Sequence, residues 1–288
     1  MDISLFLQTL LSGLEMGGIY ALVAVGLALI LGVIRIVNFS HGEFLMISMY
    51  GAFLSHSLLN IDPLVYVPLG ALLLFFVGKL TYRLFISKIA EASFMTQVLA
   101  TFGLMIFLRY LFYFFFTTDP RFIPHAFMAH HISLGKEITI HFARLVTFVG
   151  SMLTIGAIFL FLNRTKTGKA IKATAQDYEA ALSLGIDTDR MYSLAWSIGL
   201  LCTGIAGAFM AQFFPIFPEV GQSFIIYALV AVVLGGFGSI GGALLASLIL
   251  GLGEAFTGVF ISANYKDVFV YLIFIGILFF KPKGLKGA

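Results

Sequence analysis

Residues 5–31 read LFLQTLLSGLEMGGIYALVAVGLALIL, and the only charged side chain among them is Glu15. An α-helix rises 1.5 Å per residue, so the ~30 Å hydrocarbon core of a bilayer takes about 20 apolar residues to cross. This stretch is long enough and apolar enough to span. Runs of the same kind recur near residues 39–59, 64–80, 92–116, 145–162, 191–212, 223–234, 240–261 and 268–280. The run at 223–234 is short and reads as a half-helix or as a full span. The expected fold is all-α: a polytopic membrane protein of about 8–9 transmembrane helices, with broken or half helices at the substrate pathway. Residues 1–288 form a single membrane domain.

Composition excludes an ordinary soluble domain. Hydrophobic residues make up 60% and charged residues 11%, with a mean hydropathy of +1.03, and that leaves too little polar surface to face water. The single cysteine, Cys202, sits inside an apolar run, which excludes a disulfide framework and a thiol metal site. No Lys or Arg precedes Arg35, so the first span lacks the basic start of a signal peptide and is read as retained.

The basic residues are distributed unevenly. Arg35, then Lys79, Arg83 and Lys88, then Arg164, Lys166, Lys169, Lys172 and Arg190, then Lys281, Lys283 and Lys286 fall consistently on one side of the spans. The other side keeps Arg121, Lys136, Arg144 and Lys266, and Arg109 stays inside a span. The rule that cytoplasmic loops are Lys/Arg-rich places the N-terminus outside and the C-terminus in the cytoplasm. That needs an odd number of crossings, and nine fits. Residues 117–143 are then an external loop holding His125, His130, His131 and His141. Their spacings match no compact metal motif, and the loop reads as a surface cap on which an external partner rests.

One internal repeat stands out. Residues 19–27, IYALVAVGL, recur as IYALVAVVL at 226–234, which reads as a duplicated unit of the kind transporters contain or as coincidence in an Ala/Val/Leu-rich chain. Each copy runs into a break: residues 36–43, IVNFSHGE, after the first and residues 235–242, GGFGSIGG, after the second. Broken helices expose backbone polar groups, which persist in a bilayer only where protein or a water-filled cavity satisfies them. Asn38, Ser40, His41 and Glu43, and Gly235, Gly236, Gly238 and Ser239, are the candidate pathway residues. Glu15 and Glu254 join them as acids within apolar spans. Asn38, Ser40, His41 and Glu43 admit a second role, capping the broken helix.

The one long polar segment, residues 163–190, lies between two spans. Ile171, Ala175, Tyr178 and Leu182 recur at helical spacing and predict one apolar docking stripe. Gly185 is placed to end that helix in a left-handed turn. Glu179-Ala180-Ala181-x-x-x-Gly185 resembles the EAA loop of ABC importer permeases, a cytoplasmic helix that enters a cleft on an ATPase. Gly168, Ala175 and Gln176 belong to the same coupling loop. Residues 26–43 resemble the N-terminal signature of branched-chain amino acid permeases of the H type, and residues 234–243 their C-terminal glycine-rich signature. Asp177 departs from the Asn more usual there.

The resemblance implies an importer permease for branched-chain, apolar amino acids in the bacterial inner (plasma) membrane. It implies a heterodimer with a second homologous permease, two ATPase subunits and a periplasmic binding protein that delivers substrate. The chain carries no phosphate-cradling Gly-x-x-x-x-Gly-Lys-Ser/Thr loop, so ATP is left to the partners and no cofactor is expected on this chain. It is not expected to be an enzyme or to bind nucleic acid; lipid surrounds it. An intramembrane enzyme using His41 with Glu43, or Ser239, would need a base within reach of its nucleophile, and a passive channel would have no use for the coupling loop. The same machinery importing urea or short-chain amides is the alternative that these residues leave open.

Overall fold

The computed structural model describes residues 3–124, 131–134, 138–281 and 284. His125, His130, Lys136, Lys283 and Lys286, named above, lie outside the described residues.

Helix α1 (Ile3–Val33) is central, and its residues from Gly17 to Leu31 are almost all buried. It is followed by α2 (His41–Leu59) and α3 (Pro63–Thr81). A π-helical turn, Tyr82–Ile86, and the single turn α4 (Ser87–Ile89) extend α3. Next come α5 (Phe94–Phe116), a two-stranded hairpin of β1 (His131–Leu134) and β2 (Ile138–His141), and α6 (Phe142–Arg164). The short α7 (Lys166–Gln176) and α8 (Tyr178–Ser183) lead into α9 (Thr188–Met210), α10 (Val220–Gly235), α11 (Ile240–Phe260) and α12 (Lys266–Phe280). The hairpin pairs His131 with His141 in antiparallel register; with an isolated bridge between Arg121 and Ile216 it is the non-helical pairing among the described residues.

Among the described residues, seven helices are long and apolar enough to cross a membrane, and α10 is a shorter apolar one. With α2 they make nine rods that run alternately up and down. The neighbours of single residues fix their directions. Gly13 meets Leu252 and Gly17 meets Leu248, so α1 and α11 are antiparallel; Gly70 meets Gly204 and Gly78 meets Ser197, so α3 and α9 are too. Arg35, Lys79, Arg83, Arg164, Lys172 and Lys281 consequently collect at one end, hereafter the basic end, and Ile3 lies at the other.

Small residues let these helices approach to backbone contact, which is how helices associate where lipid is as apolar as leucine. A Cβ added at Gly26 would lie 2.6 Å from the Gly199 carbonyl oxygen, so α1 and α9 cross there with nothing between them. By contrast α5 and α12 turn Phe107, Tyr110, Phe114, Phe115, Leu272, Ile275 and Phe279 outward. In water that patch would drive aggregation; in a bilayer it is the ordinary lipid-facing surface.

Neither α2 nor α10 begins at a membrane surface. After α1 ends, residues 34–40 turn back along it, and His41 Nε2 donates to the Val23 carbonyl at 3.2 Å. Val23 is about 15 Å from the end of α1 at 1.5 Å per residue, so α2 starts well inside the bundle. The first turn of α10 meets it there. Gly42 and Gly221 touch backbone to backbone, leaving no room for a Cβ on either. From this junction α2 runs toward the start of α3 and α10 runs to the basic end, where Gly32 packs on Gly238. The apolar pattern marks only residues 223–234 of α10, because its first turn, Val220-Gly221-Gln222, is partly polar. Residues 39–59 likewise read as one uninterrupted span, whereas the helix begins at His41, inside the bundle.

Candidate functional site

Two regions gather the sequence-derived residues: the junction where α2 and α10 begin, and the polar segment at the basic end.

At the junction, Asn38 organises the turn into α2. Its Oδ1 accepts from the Ser40 amide (3.1 Å) and from Ser40 Oγ (2.6 Å). Ser40 occupies the N-cap position of α2 but makes no side-chain cap. The turn is held instead by this Asx-type contact and by Glu43 N donating to the Ser40 carbonyl (3.0 Å). The break is further tied to α5, since Thr101 Oγ1 donates to the Val37 carbonyl (2.9 Å). Asn38, Ser40, His41 and Glu43 are all buried.

Arg109 of α5 reaches into this turn. Its Nη2 and Nε donate to Glu43 Oε1 at 2.6 and 3.1 Å, and its Nη1 donates to Gln222 Oε1 at 3.1 Å. The guanidinium thereby links the first turns of α2 and α10. An intramembrane arginine demands a counter-charge, so Arg109 itself was the sequence signal for this pair. Nothing in the sequence chose Glu43 over Glu15 or Glu254. Gln222 carried no signal at all, because its neighbour Arg109 is distant in the chain.

The other two acids lie elsewhere. Glu254 Oε2 accepts from Tyr20 Oη (2.6 Å), with Lys266 Nζ 3.8 Å from Oε1. Tyr227 Oη donates to Asp267 Oδ1 (2.7 Å). Tyr20 and Tyr227, equivalent residues of the two repeat copies, stack with centroids 4.5 Å apart. Each copy therefore hands its tyrosine hydroxyl to a carboxylate. Glu254 lines a cavity of about 460 Å³ near the start of α1, with Arg144 and Lys266. Glu15 is buried on α1 within electrostatic reach of Arg144. Neither acid reaches the α2/α10 junction.

The glycine-rich turn sits at the basic end. Gly236 and Gly238 have φ of 96° and 76°, a left-handed backbone that favours glycine. Gly235 packs on Gly242, and Ser239 Oγ accepts from the Gly242 amide (3.1 Å) as the N-cap of α11. Ser239 is thus occupied as a cap. Gly238 and Phe237, with Gly32, Arg35, Ile171 and Lys172, line a largely apolar groove of about 950 Å³.

The polar segment departs from the single helix that the stripe Ile171, Ala175, Tyr178 and Leu182 suggested. Asp177 (φ −149°, ψ 108°) interrupts it, and its side chain caps α8 by accepting from the Ala180 amide. The stripe is therefore split. Ile171 is fully buried, whereas Tyr178 and Leu182 are exposed. Gly168 packs so closely on Phe161 and Leu162 that a Cβ would collide with backbone, and Thr165 Oγ1 caps α7 by accepting the Gly168 amide (2.9 Å). These contacts fix α7 to the end of α6. Ala181 is 2% exposed and faces inward, away from any partner that the loop would meet. Gln176, Glu179 and Ala180 are exposed and Ala175 is partly so. Gly185 (φ 79°) has open space around it. Its amide donates to the Leu182 carbonyl (2.9 Å), and the Ile186 amide donates to that of Ala181 (3.1 Å), closing the end of α8. Leu184, 81% exposed, projects from this turn.

Residues 9–278 match the family described as the permease component of branched-chain amino acid transport systems. BraD of Pseudomonas aeruginosa, a high-affinity branched-chain amino acid transport system permease protein, is 31% identical over 98% of this chain and 96% of its own. LivH of Escherichia coli K12, named likewise, is 32% identical over the same shares. The chain belongs to the branched-chain amino acid transport permease family. A probable permease of this family from Methanocaldococcus jannaschii is 27% identical over 92% of the chain. No solved structure matches. The relatives are transport permeases, and the family is the permease component of ABC transport systems. Residues 26–43 carry the turn into α2, and residues 234–243 carry the glycine turn. Between them they make up both ends of the broken-helix unit.

Proposed function

We propose that this permease imports branched-chain or other apolar amino acids as the membrane subunit of an ATP-driven transporter. It pairs with a second homologous permease; the pair carries two ATPases at its basic end and receives substrate from a periplasmic binding protein. The basic end is cytoplasmic and the N-terminus external, on the distribution of Lys and Arg. The observation that carries the reading is α8. This short helix lies at the basic end with Glu179, Leu182 and Leu184 exposed among the described residues.

A solvated connector has no reason to expose Leu184 and Leu182; a docking element does. ATP binding draws the two ATPases together and displaces the α8 turns seated on them. The close contact of Gly168 with Phe161 and Leu162 passes that displacement into α6 and the bundle. The pore is thereby biased between outward- and inward-facing states by the different affinities of the ATPases for each. Asn38, Ser40, His41, Glu43 and the turn at Gly235, Gly236, Gly238 and Ser239 shape the pathway. Glu15 and Glu254 belong to its wall near the start of α1.

The test is uptake by the complete transporter in vesicles. Labelled leucine should accumulate only when ATP and the cognate binding protein are both supplied. Accumulation of urea without leucine overturns the substrate assignment.

A further inference from the structure

We propose that the Glu43–Arg109–Gln222 cluster is the point at which the permease recognises the charged end of its substrate, a zwitterionic α-amino acid. The inference rests on the transporter reading above and adds a substrate site to it.

The cluster combines features that a structural ion pair does not need. Glu43 is 1% exposed, and Arg109 covers only one of its carboxylate oxygens. Oε2 is buried and has no hydrogen-bond partner among the described residues, as are Asn38 Nδ2 and His41 Nδ1 beside it. A buried charged oxygen left without a donor is costly, and several together mark a place where another polar group sits at some stage. Gln222 holds Arg109 Nη1 from the exposed side. Glu219 acts electrostatically on Glu43 from the same side and interacts with Tyr113. Gln222, Ser223 and Glu219 are exposed, at the depth where α2 and α10 begin. Lipid tails cannot face such groups. That side therefore opens on a water-filled path or on the second permease, which is where a substrate passes.

The chemistry fits one class of solute. An α-carboxylate can take Arg109 Nη1 from Gln222 at the first turns of α2 and α10, whose helix dipoles also favour an anion. The α-ammonium finds Glu43 Oε2 and Glu219. Without substrate, Arg109 and Glu43 neutralise each other; with it, each gains an opposite charge. Urea and amides carry no separated charges and cannot make this exchange. The ion pair thus selects the amino-acid end, independently of the side chain.

The test uses the complete transporter and a neutral pair of substitutions, Glu43→Gln with Arg109→Gln, which removes both charges without stranding either. Leucine uptake should fall roughly 100-fold in kcat/KM, as expected when two charge-assisted contacts are lost, while the ATPase still co-purifies. A second measurement keeps the outcome readable if that variant fails to assemble. Cys202 is buried, so Ser223→Cys provides the accessible thiol on this chain. With Glu43 and Arg109 intact, its labelling by a charged methanethiosulfonate should slow with leucine and the binding protein, and should not slow with isovaleramide. Unaltered leucine uptake in the double variant, or equal protection by leucine and isovaleramide, overturns the site alone. A wild-type transporter that moves no leucine overturns the functional reading and this site with it.

Discussion

Gly185 shows what a single backbone angle can decide. Its φ of 79° lies where a β-branched residue is strongly disfavoured, yet open space surrounds it. Gly185→Val should therefore act through backbone strain alone, of about 1–2 kcal/mol, and should unwind the end of α8. The protein should insert at normal levels and lose most ATP-driven uptake, read by vesicle transport beside membrane yield. Ala181 differs. Because it is buried, Ala181→Trp would disturb the packing of α8 on its own protein before it touched any partner, and small-to-large changes in packed sites cost roughly 1–3 kcal/mol. Gly42 and Gly221 are a third case: there the constraint is space, since each occupies the volume a partner's Cβ would need.

At the scale of elements, α8 is too short to be stable alone. Helices below ~12 residues are marginal in water, so the Asp177 cap and the Gly185 turn carry much of its order. Asp177→Ala removes the bond from the Ala180 amide and should weaken α8 by about 1 kcal/mol. It should lower, without abolishing, the amount of ATPase retained on purification. Leu184→Asp leaves the helix intact but puts a charge on its most exposed apolar side chain. It should release the ATPase more completely than Asp177→Ala, measured by the same co-purification. The reverse order would mean that the helix itself, and not its apolar tip, is what the partner reads. The π-helical turn Tyr82–Ile86 also belongs to this scale. It lies where Tyr82 Oη donates to Asp189 Oδ1 (2.6 Å) and Trp196 Nε1 to Thr81 Oγ1 (3.1 Å), which bolts the basic ends of α3 and α9 together beside the docking segment.

For the whole molecule, the nine alternating helices among the described residues put the start of α1 and the end of α12 at opposite ends. A reporter fused at Asp177 or Lys281 should be cytoplasmic and one at Asp119 external. Asp119 and Asp177 on the same side would dismantle both the orientation and the docking argument. The end opposite the basic one is tied across the bundle by Arg121, whose backbone pairs with Ile216 in both directions at 2.9 Å. Its guanidinium donates to the Phe116 carbonyl (3.0 Å) and lies over the Phe53 and Phe116 rings. This clasp joins the chain after α5 to the loop that leads into α10. The segment after α5 and the junction helix α10 are therefore mechanically connected.

The sequence alone determined the membrane class, the approximate position of every span and the basic end. The bilayer imposes its conditions segment by segment: each stretch must be apolar, long enough and internally hydrogen bonded, whatever its neighbours do. Such constraints are local and can be read in one dimension. The faces could not be read, because a helix such as α1, apolar on every side, has no periodic stripe to mark which side meets which neighbour. Only the tertiary structure decided that Arg109 pairs with Glu43 and Gln222, that α2 and α10 start against each other inside the bundle, and that Ala181 points inward while Leu184 points out. Those facts depend on contacts between residues far apart in the chain, made where glycines allow backbones to touch. Helix depth and rotation follow from that packing.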